Sequence, residues 1–272
     1  MKKLFTFLIL LVMVKPLYAG WPINTGRYII APTLTYYHSG DYWDKDGHFV
    51  HAHGQQGFTS ETFSIYGGYG INHQIDIIGS IPLSYQTSTY NGVAHSSFGA
   101  NDLQAGVSYN IINFGYKSFL SVQVTGIVPL YKDSPTEYRG YQSVGADLKL
   151  SYTGGFSNFI TKQGYYNVEV AGRDYFAKDG PIQMNYSAAA GFAFNRKNQL
   201  ILEVGGVYSS SSNKSYSVNQ TAIHDFRYTK ASGTYLHSLS RHYNLGLGGF
   251  YTFTGRNTGK GMGGDVQLLI RF

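Results

Sequence analysis

The stretch VGADLKLSY, residues 144–152, alternates without a break. Val144, Ala146, Leu148, Leu150 and Tyr152 fall on one side, and Gly145, Asp147, Lys149 and Ser151 on the other. Successive side chains of a strand point to opposite faces, so this segment reads as a strand with one apolar and one polar face. The pattern recurs. Across residues 102–111, Leu103, Ala105, Val107, Tyr109 and Ile111 oppose Asp102, Gln104, Gly106, Ser108 and Asn110. Met184, Tyr186, Ala188, Ala190, Phe192 and Phe194 make a third row, and Leu245, Leu247, Gly249, Tyr251 and Phe253 a fourth. A soluble antiparallel sandwich also alternates. The fold therefore depends on which medium meets the apolar rows.

Composition answers that question. Charged residues make up only 13% of the chain, against 25 Tyr, 34 Gly and no Cys. A soluble surface carries roughly 25–35% charged residues, and small secreted soluble domains rely on disulfides. No stretch after the N-terminus approaches the ~20 apolar residues of a membrane helix. Within lipid only helices and closed barrels satisfy every backbone group. The sequence thus predicts an all-β chain, a transmembrane antiparallel up-and-down β-barrel.

Lys2 and Lys3 precede an apolar run over residues 4–14 broken only by Thr6, followed by Pro16 and Ala19-Gly20. This is the layout of a secretory signal, too short to cross a bilayer as a helix. Cleavage after Ala19 is predicted, making 1–19 a signal peptide and 20–272 one barrel domain. Losing three Lys lowers the net charge from +6 to +3. That excess is too mild for a nucleic-acid binder. The predicted location is the bacterial outer membrane.

Connections of two kinds separate the rows. Short turns are read at residues 72–73, 113–115, 161–164, 195–198 and 241–242. Longer polar stretches are read at 39–57, 91–101, 132–143, 178–181, 213–224 and 256–263. Together they join twelve strands. An even number leaves both termini on the periplasmic side, as short periplasmic turns and longer outer loops require. Ten or fourteen strands remain alternatives, because residues 27–37 and 227–240 alternate poorly. Tyr36, Tyr37, Tyr85, Tyr90, Tyr131, Tyr165, Tyr166, Tyr175 and Phe176 cluster near strand ends and are expected in the interfacial aromatic girdles.

Two stretches carry a family resemblance. SETFSIYGGYGINHQIDIIGSIPLSYQ, residues 60–86, is a hairpin ending in a Pro-containing strand, and GANDLQAGVSYNII, residues 99–112, is followed by VQVTGIVPLY, residues 122–131. Together they resemble the outer-membrane proteins grouped with the MetA product of phenol-degradation pathways, a family of barrel transporters. Asn101-Asp102-Leu103 stands where that family has Gly-Asp-Leu, and Pro129-Leu130-Tyr131 where it has Pro-Thr-Gly. The likeness covers residues 61–131, about a quarter of the chain. It implies a channel or transporter, with hydrophobic or aromatic compounds as the solute class.

If the apolar rows face lipid, Asp76, Gln104, Asp147, Lys149, Glu169, Arg173, Glu203 and Arg271 point into the lumen as selectivity candidates. Mixed charges on adjacent walls line a polar path or pair and plug it. Eight strands give a filled interior and 16–18 an aqueous channel, so twelve predicts a narrow passage.

The loop SGDYWDKDGHFVHAHGQQG offers Asp41, Asp44, Asp46, His48, His51 and His53, but lacks the full calcium pattern ending in Glu. These residues read as an aqueous loop, with Trp43 and Phe49 as anchors if it folds inward. No metal and no cofactor is predicted. His95 and Ser97 share the spacing of the His-x-Ser pair of lipid A deacylases, and His237, Ser238 and Ser240 stand close together. A nucleophilic Ser needs an activating base held in place by a third group, and neither set has an obvious acidic partner. The GRNTGKGMGG stretch reads as a flexible outer hairpin loop.

The chain ends on DVQLLIRF, residues 265–272. Val266, Leu268, Ile270 and Phe272 form a lipid-facing row, which resembles the signal by which the barrel-assembly machinery recognises outer-membrane barrels. The expected function is a non-enzymatic outer-membrane channel for passive passage of a small-molecule solute, surrounded by outer-membrane lipid and lipopolysaccharide. The alternatives are a non-conducting surface or adhesion barrel and an outer-membrane lipid hydrolase.

Overall fold

The computed structural model describes residues 21–52, 54, 56–132, 138–157, 161 and 163–272; residues 1–19, expected to be a signal peptide, and His53 lie outside them. The strands are β1 (Tyr28–Trp43), β2 (Phe49–Val50), β3 (Gln56–Gly70), β4 (Ile75–Tyr90), β5 (Val93–Ala100), β6 (Asp102–Asn113), β7 (Ser118–Pro129), β8 (Gly145–Phe156), β9 (Gly164–Tyr175), β10 (Ile182–Ala193), β11 (Asn198–Ser210), β12 (Phe226–Ser238), β13 (Tyr243–Arg256) and β14 (Thr258–Arg271). Twelve of them form one antiparallel ring, each beside its neighbour, and β14 returns to pair with β1. The two short strands lie outside that ring. β2 extends the end of β1, and β5 pairs with the far half of β4. A 3-10 turn at Gln220–Ala222 is the one helical element among the described residues.

The alternation read from sequence is the alternation of exposure. On β8, Leu148 and Leu150 are exposed while Asp147 and Ser151 are buried. The apolar faces point outward, because an exterior meeting hydrocarbon reverses the soluble rule of apolar inside. A charge at the bilayer midplane costs ~2–4 kcal/mol and near an interface ~0–1. Accordingly the outward strand charges Glu61, Asp174, Arg227 and Lys260 all lie toward the long-loop ends of their strands.

The ring has the twelve strands expected, and the weakly alternating segments 27–37 and 227–240 fall in β1 and β12, whose lumen faces carry Ala31, Tyr37, Tyr228 and Leu236 and lose polar contrast. Two expectations are corrected. Tyr37, Tyr131, Tyr165 and Tyr175 do not belong to the girdle. Tyr131, Tyr165 and Tyr175 are buried, and Tyr37 packs inside against Phe58 and Phe250 with centroids 5.9 and 6.2 Å away. Neighbours in a strand point opposite ways, so Tyr36-Tyr37, Tyr165-Tyr166 and Tyr175-Phe176 cannot both face lipid. Secondly, residues 256–263, read as a loop, are the ends of two strands on either side of a one-residue turn. β13 turns into β14 at Asn257, whose φ of 51° supplies the tight reversal. The glycines of that stretch make room for aromatic rings: a Cβ at Gly261 would overlap Tyr37.

The seam between β1 and β14 closes the ring from Ile29↔Arg271 to Trp43↔Thr258. At its short-turn end, Tyr28 and Phe272 exchange backbone hydrogen bonds of 3.0 and 3.1 Å. The Phe272 ring stacks on Tyr28 at 5.2 Å and on His242 at 4.5 Å. Aromatic pairs contribute about 0.5–1.5 kcal/mol beyond their area, so the last residue is tied to the first strand. Deleting Phe272 is expected to lower the amount of folded, membrane-inserted protein, measured by heat-modifiable electrophoretic mobility of membrane fractions. Wild-type levels of folded protein would contradict this.

Candidate functional site: the barrel lumen

β8 and β9 build the charged wall of the lumen. Asp147 lies directly opposite Arg173, and Ser151 opposite Glu169. Arg173 Nε donates to Asp147 Oδ2 at 3.1 Å, and Lys149 Nζ to Glu169 Oε2 at 3.3 Å. Ser151 and Asn167 both donate to Glu169 Oε1 at 3.1 Å. Lys149, Glu169 and Arg173 keep 25%, 21% and 21% of their side-chain surface accessible, so these pairs border open space.

A second charge group faces them. Lys230 on β12 lies over the Phe250 ring at 5.3 Å and is the cation that both Glu203 and Asp265 feel. Tyr66 on β3 is 39% exposed although it points inward, and it lies within electrostatic reach of Asp76 and of Glu169 on the far wall. All eight residues named from sequence, Asp76, Gln104, Asp147, Lys149, Glu169, Arg173, Glu203 and Arg271, sit at inward positions of their strands. Asp147, Lys149, Glu169 and Arg173 form the contiguous set. Asp76 and Arg271 sit near the short-turn end.

At that end a segment unforeseen from sequence enters the barrel. Ile23 N–H donates to both Asp76 oxygens at 3.3 and 3.2 Å, and the Trp21 ring meets inward Phe119 at 4.8 Å. Gly26 and Arg27 exchange backbone bonds with Gly70 at 2.9 Å. Glycine is required beneath it: a Cβ at Gly70 would overlap the Asn24 backbone. The YGGYG run of residues 66–70 and the inward Asp76 were the sequence signals for this space.

The other mouth is crossed by residues 211–225. Tyr216 stacks on Tyr42 at 4.9 Å, and Gln220 Oε1 accepts from Gly259 N–H at 2.8 Å. On the opposite side, Thr221 Oγ1 and Asn219 Nδ2 donate to Tyr138 O at 2.8 and 3.0 Å, and Tyr141 OH donates to Ile223 O at 2.9 Å. Beneath lies a tyrosine layer, in which Tyr141 meets Tyr175 at 4.6 Å. Burial raises the pKa of Tyr141 and of Tyr216, so both hydroxyls stay neutral. The loop over 39–57, read as an aqueous loop, carries the β1–β2 extension. Trp43 turns in against Gly255, but Phe49 stays exposed.

Asp225 anchors the crossing loop. It is buried and accepts from Lys214 Nζ at 2.7 Å and Arg256 at 2.9 Å. Burial alone would raise its pKa, but the two cations overcome it and hold the carboxyl below its usual range.

The other candidates have separate surroundings. In the β1–β2 turn, the donor atoms of Asp44, Asp46 and His48 converge within 4.8 Å. Asp44 Oδ1 is already engaged by the Asp46 and His48 amides at 2.9 and 2.8 Å, and the His48 bond leads in lowering its pKa. His51 lies 3.3 Å from Asp41. His95 is exposed and Ser97 buried on β5, with Ser97 opposite Gln86. His237 faces Asn198 Oδ1 at 2.7 Å, Ser238 donates to Asn244 Oδ1 at 2.6 Å, and Ser240 accepts from turn amides. Among the described residues none of these His–Ser sets is bonded to a carboxylate.

No protein-family model matches the chain, and no curated protein matches it. Solved structures share its fold. The COG4313 outer membrane channel from Pseudomonas putida F1 superposes with a TM-score of 0.74 at 11% identity, covering 94% of this chain and 100% of that one. The beta domain of the Bordetella autotransporter BrkA gives 0.56 at 12%, covering 91% and 100%. The NanC porin gives 0.52 at 9%, covering 89% and 98%. The chain is a β-barrel of the bacterial outer-membrane kind.

The Asp225 geometry predicts a pH dependence. A carboxyl with a lowered folded-state pKa stabilises the loop at neutral pH, and that contribution is lost as pH falls through the lowered value, below about 4. Limited proteolysis of the folded barrel should cut residues 211–225 faster in that acidic range. Asp225→Asn should give the fast rate already at pH 7, and an unchanged rate would refute the anchor.

Proposed function

We propose that the protein is a narrow passive channel of the outer membrane, its long loops outward and its termini in the periplasm. The observation that carries this reading is the solvent-accessible charge lane of the β8–β9 wall facing Lys230, Glu203 and Asp265. A sealed core would bury such pairs with no accessible surface left beside them. From the strands, six acids (Asp76, Asp102, Asp147, Glu169, Glu203, Asp265) and four bases (Lys149, Arg173, Lys230, Arg271) face the lumen. Rings of carboxylates favour cations, so small cationic or zwitterionic solutes are the preferred class. The Pseudomonas channel supports the reading by fold. The resemblance of residues 61–131 to a family of barrel transporters agrees in kind.

A second reading has an observation of its own. Both mouths are occupied, by Trp21–Ile23 at one end and by residues 211–225 at the other, as in a barrel that only anchors its loops. The β4–β5 arm would then be the presented surface, with Phe98 at 72% and Val93 at 58% exposure. The lipid-hydrolase alternative receives no such support.

Planar-bilayer recordings separate the two. The channel reading expects discrete steps, a reversal potential displaced toward cations, and altered conductance in Asp147→Asn and Lys149→Gln. Glu203→Gln should weaken the cation preference. Folded protein that gives no conductance would leave only the anchor.

A further inference from the structure

On the outer surface, three glycines stand side by side across neighbouring strands. Gly233 of β12 pairs with Gly249 of β13, which pairs with Gly264 of β14. Leu202 of β11 pairs with Gly233, and Tyr36 of β1 with Gly264, so a large side chain closes each end of the row. The result is a groove of about 790 Å³, walled toward the long loops by Tyr251, Met262 and His38.

At Gly264 a Cβ would stand a tight 3.0 Å from Gly248 O, but internal packing does not demand glycine at the other two floor positions. A Cβ at Gly249 would meet only Gly263 O at 3.7 Å, and one at Gly233 only Leu202 Cδ2 at 3.6 Å. Gly261 and Gly206 differ, since a Cβ there would overlap a tyrosine. The space is open toward the hydrocarbon. Its floor spans two strand spacings, about 10 Å, enough for acyl chains lying abreast.

The rim of the groove is positive. Lys260, two residues beyond Met262 on the same face, holds its Nζ 4.4 Å from the Phe49 ring centroid and 5.7 Å from that of Tyr251. Arg227 is exposed on the same face of β12, between Phe226 and Tyr228, which stack together on the lumen side. The outward acid Glu61 lies across Tyr36 from the groove, on β3.

We propose that this groove seats the acyl chains of a phosphorylated, multiply acylated lipid of the lipopolysaccharide type, with a phosphate at Lys260. The breadth of the floor selects several chains, and the cation selects the phosphate. This site is independent of whether the lumen conducts.

The test uses the full chain folded in detergent and titrated separately with phosphorylated lipid A, phosphatidylglycerol and phosphatidylethanolamine, bound lipid being counted by native mass spectrometry. Lipid A should bind most tightly. Gly249→Leu fills the floor and should weaken lipid A binding about tenfold, the equivalent of two buried methylenes. Lys260→Gln should weaken it about fivefold, as for one cation at a membrane surface. Gly172→Leu, on the lipid face of β9 where a Cβ meets nothing within 4 Å, is the control and should change nothing. Heat-modifiable mobility confirms folding of each variant. Undiminished binding in Gly249→Leu, an equal loss in Gly172→Leu, or equal affinity for phosphatidylglycerol would overturn the proposal. So would a dimer that Gly249→Leu dissolves, which would give the groove to a second copy.

Discussion

The pairing of β14 with β1 is the constraint on which everything else depends. An open twelve-strand sheet in lipid would leave two rows of backbone groups unpaired, each group costing several kcal/mol. Closure removes both edges at once and creates an inside distinct from an outside. Only then does strand alternation acquire its meaning, with Leu148 and Leu150 toward hydrocarbon and Asp147 and Lys149 toward the lumen. The stacking of Phe272 on Tyr28 and His242 fixes the register of that seam at its short-turn end. A one-residue slip would exchange the two faces of β14, placing Arg271 in lipid.

Much of this was legible because the medium outside a barrel is uniform. Every lipid-facing position demands an apolar side chain, so β6, β8 and β10 announce themselves with complete alternation. The lumen makes no such uniform demand. Where it takes tyrosines and leucine, as at Tyr37, Tyr228 and Leu236, the contrast disappears and β1 and β12 read weakly. Adjacent aromatics mislead for the related reason that clustering says nothing about parity. The glycines of β14 read as a loop because glycine also marks turns, whereas here it yields space to Tyr37.

The two mouths were illegible for a different reason. Their contacts join residues far apart in the chain, such as Ile23 with Asp76 and Thr221 with Tyr138. Polar loop sequences carry no periodicity that would forecast such partners. The charge pairs of β8 and β9 were readable because a short connection places the two strands side by side, bringing Asp147 opposite Arg173. Lys230 and Asp265, on strands with weaker patterns, emerged only in three dimensions.

A water-accessible lane through the middle of the barrel is directly measurable, because the chain has no cysteine of its own. Single cysteines at Lys149 and at Leu150 of the barrel reconstituted in liposomes can be challenged with a charged, membrane-impermeant thiol reagent. Lys149→Cys should label rapidly and Leu150→Cys not at all, because adjacent residues face water and lipid. A Lys149→Cys barrel that is folded yet inert to the reagent from both sides of the membrane would contradict it.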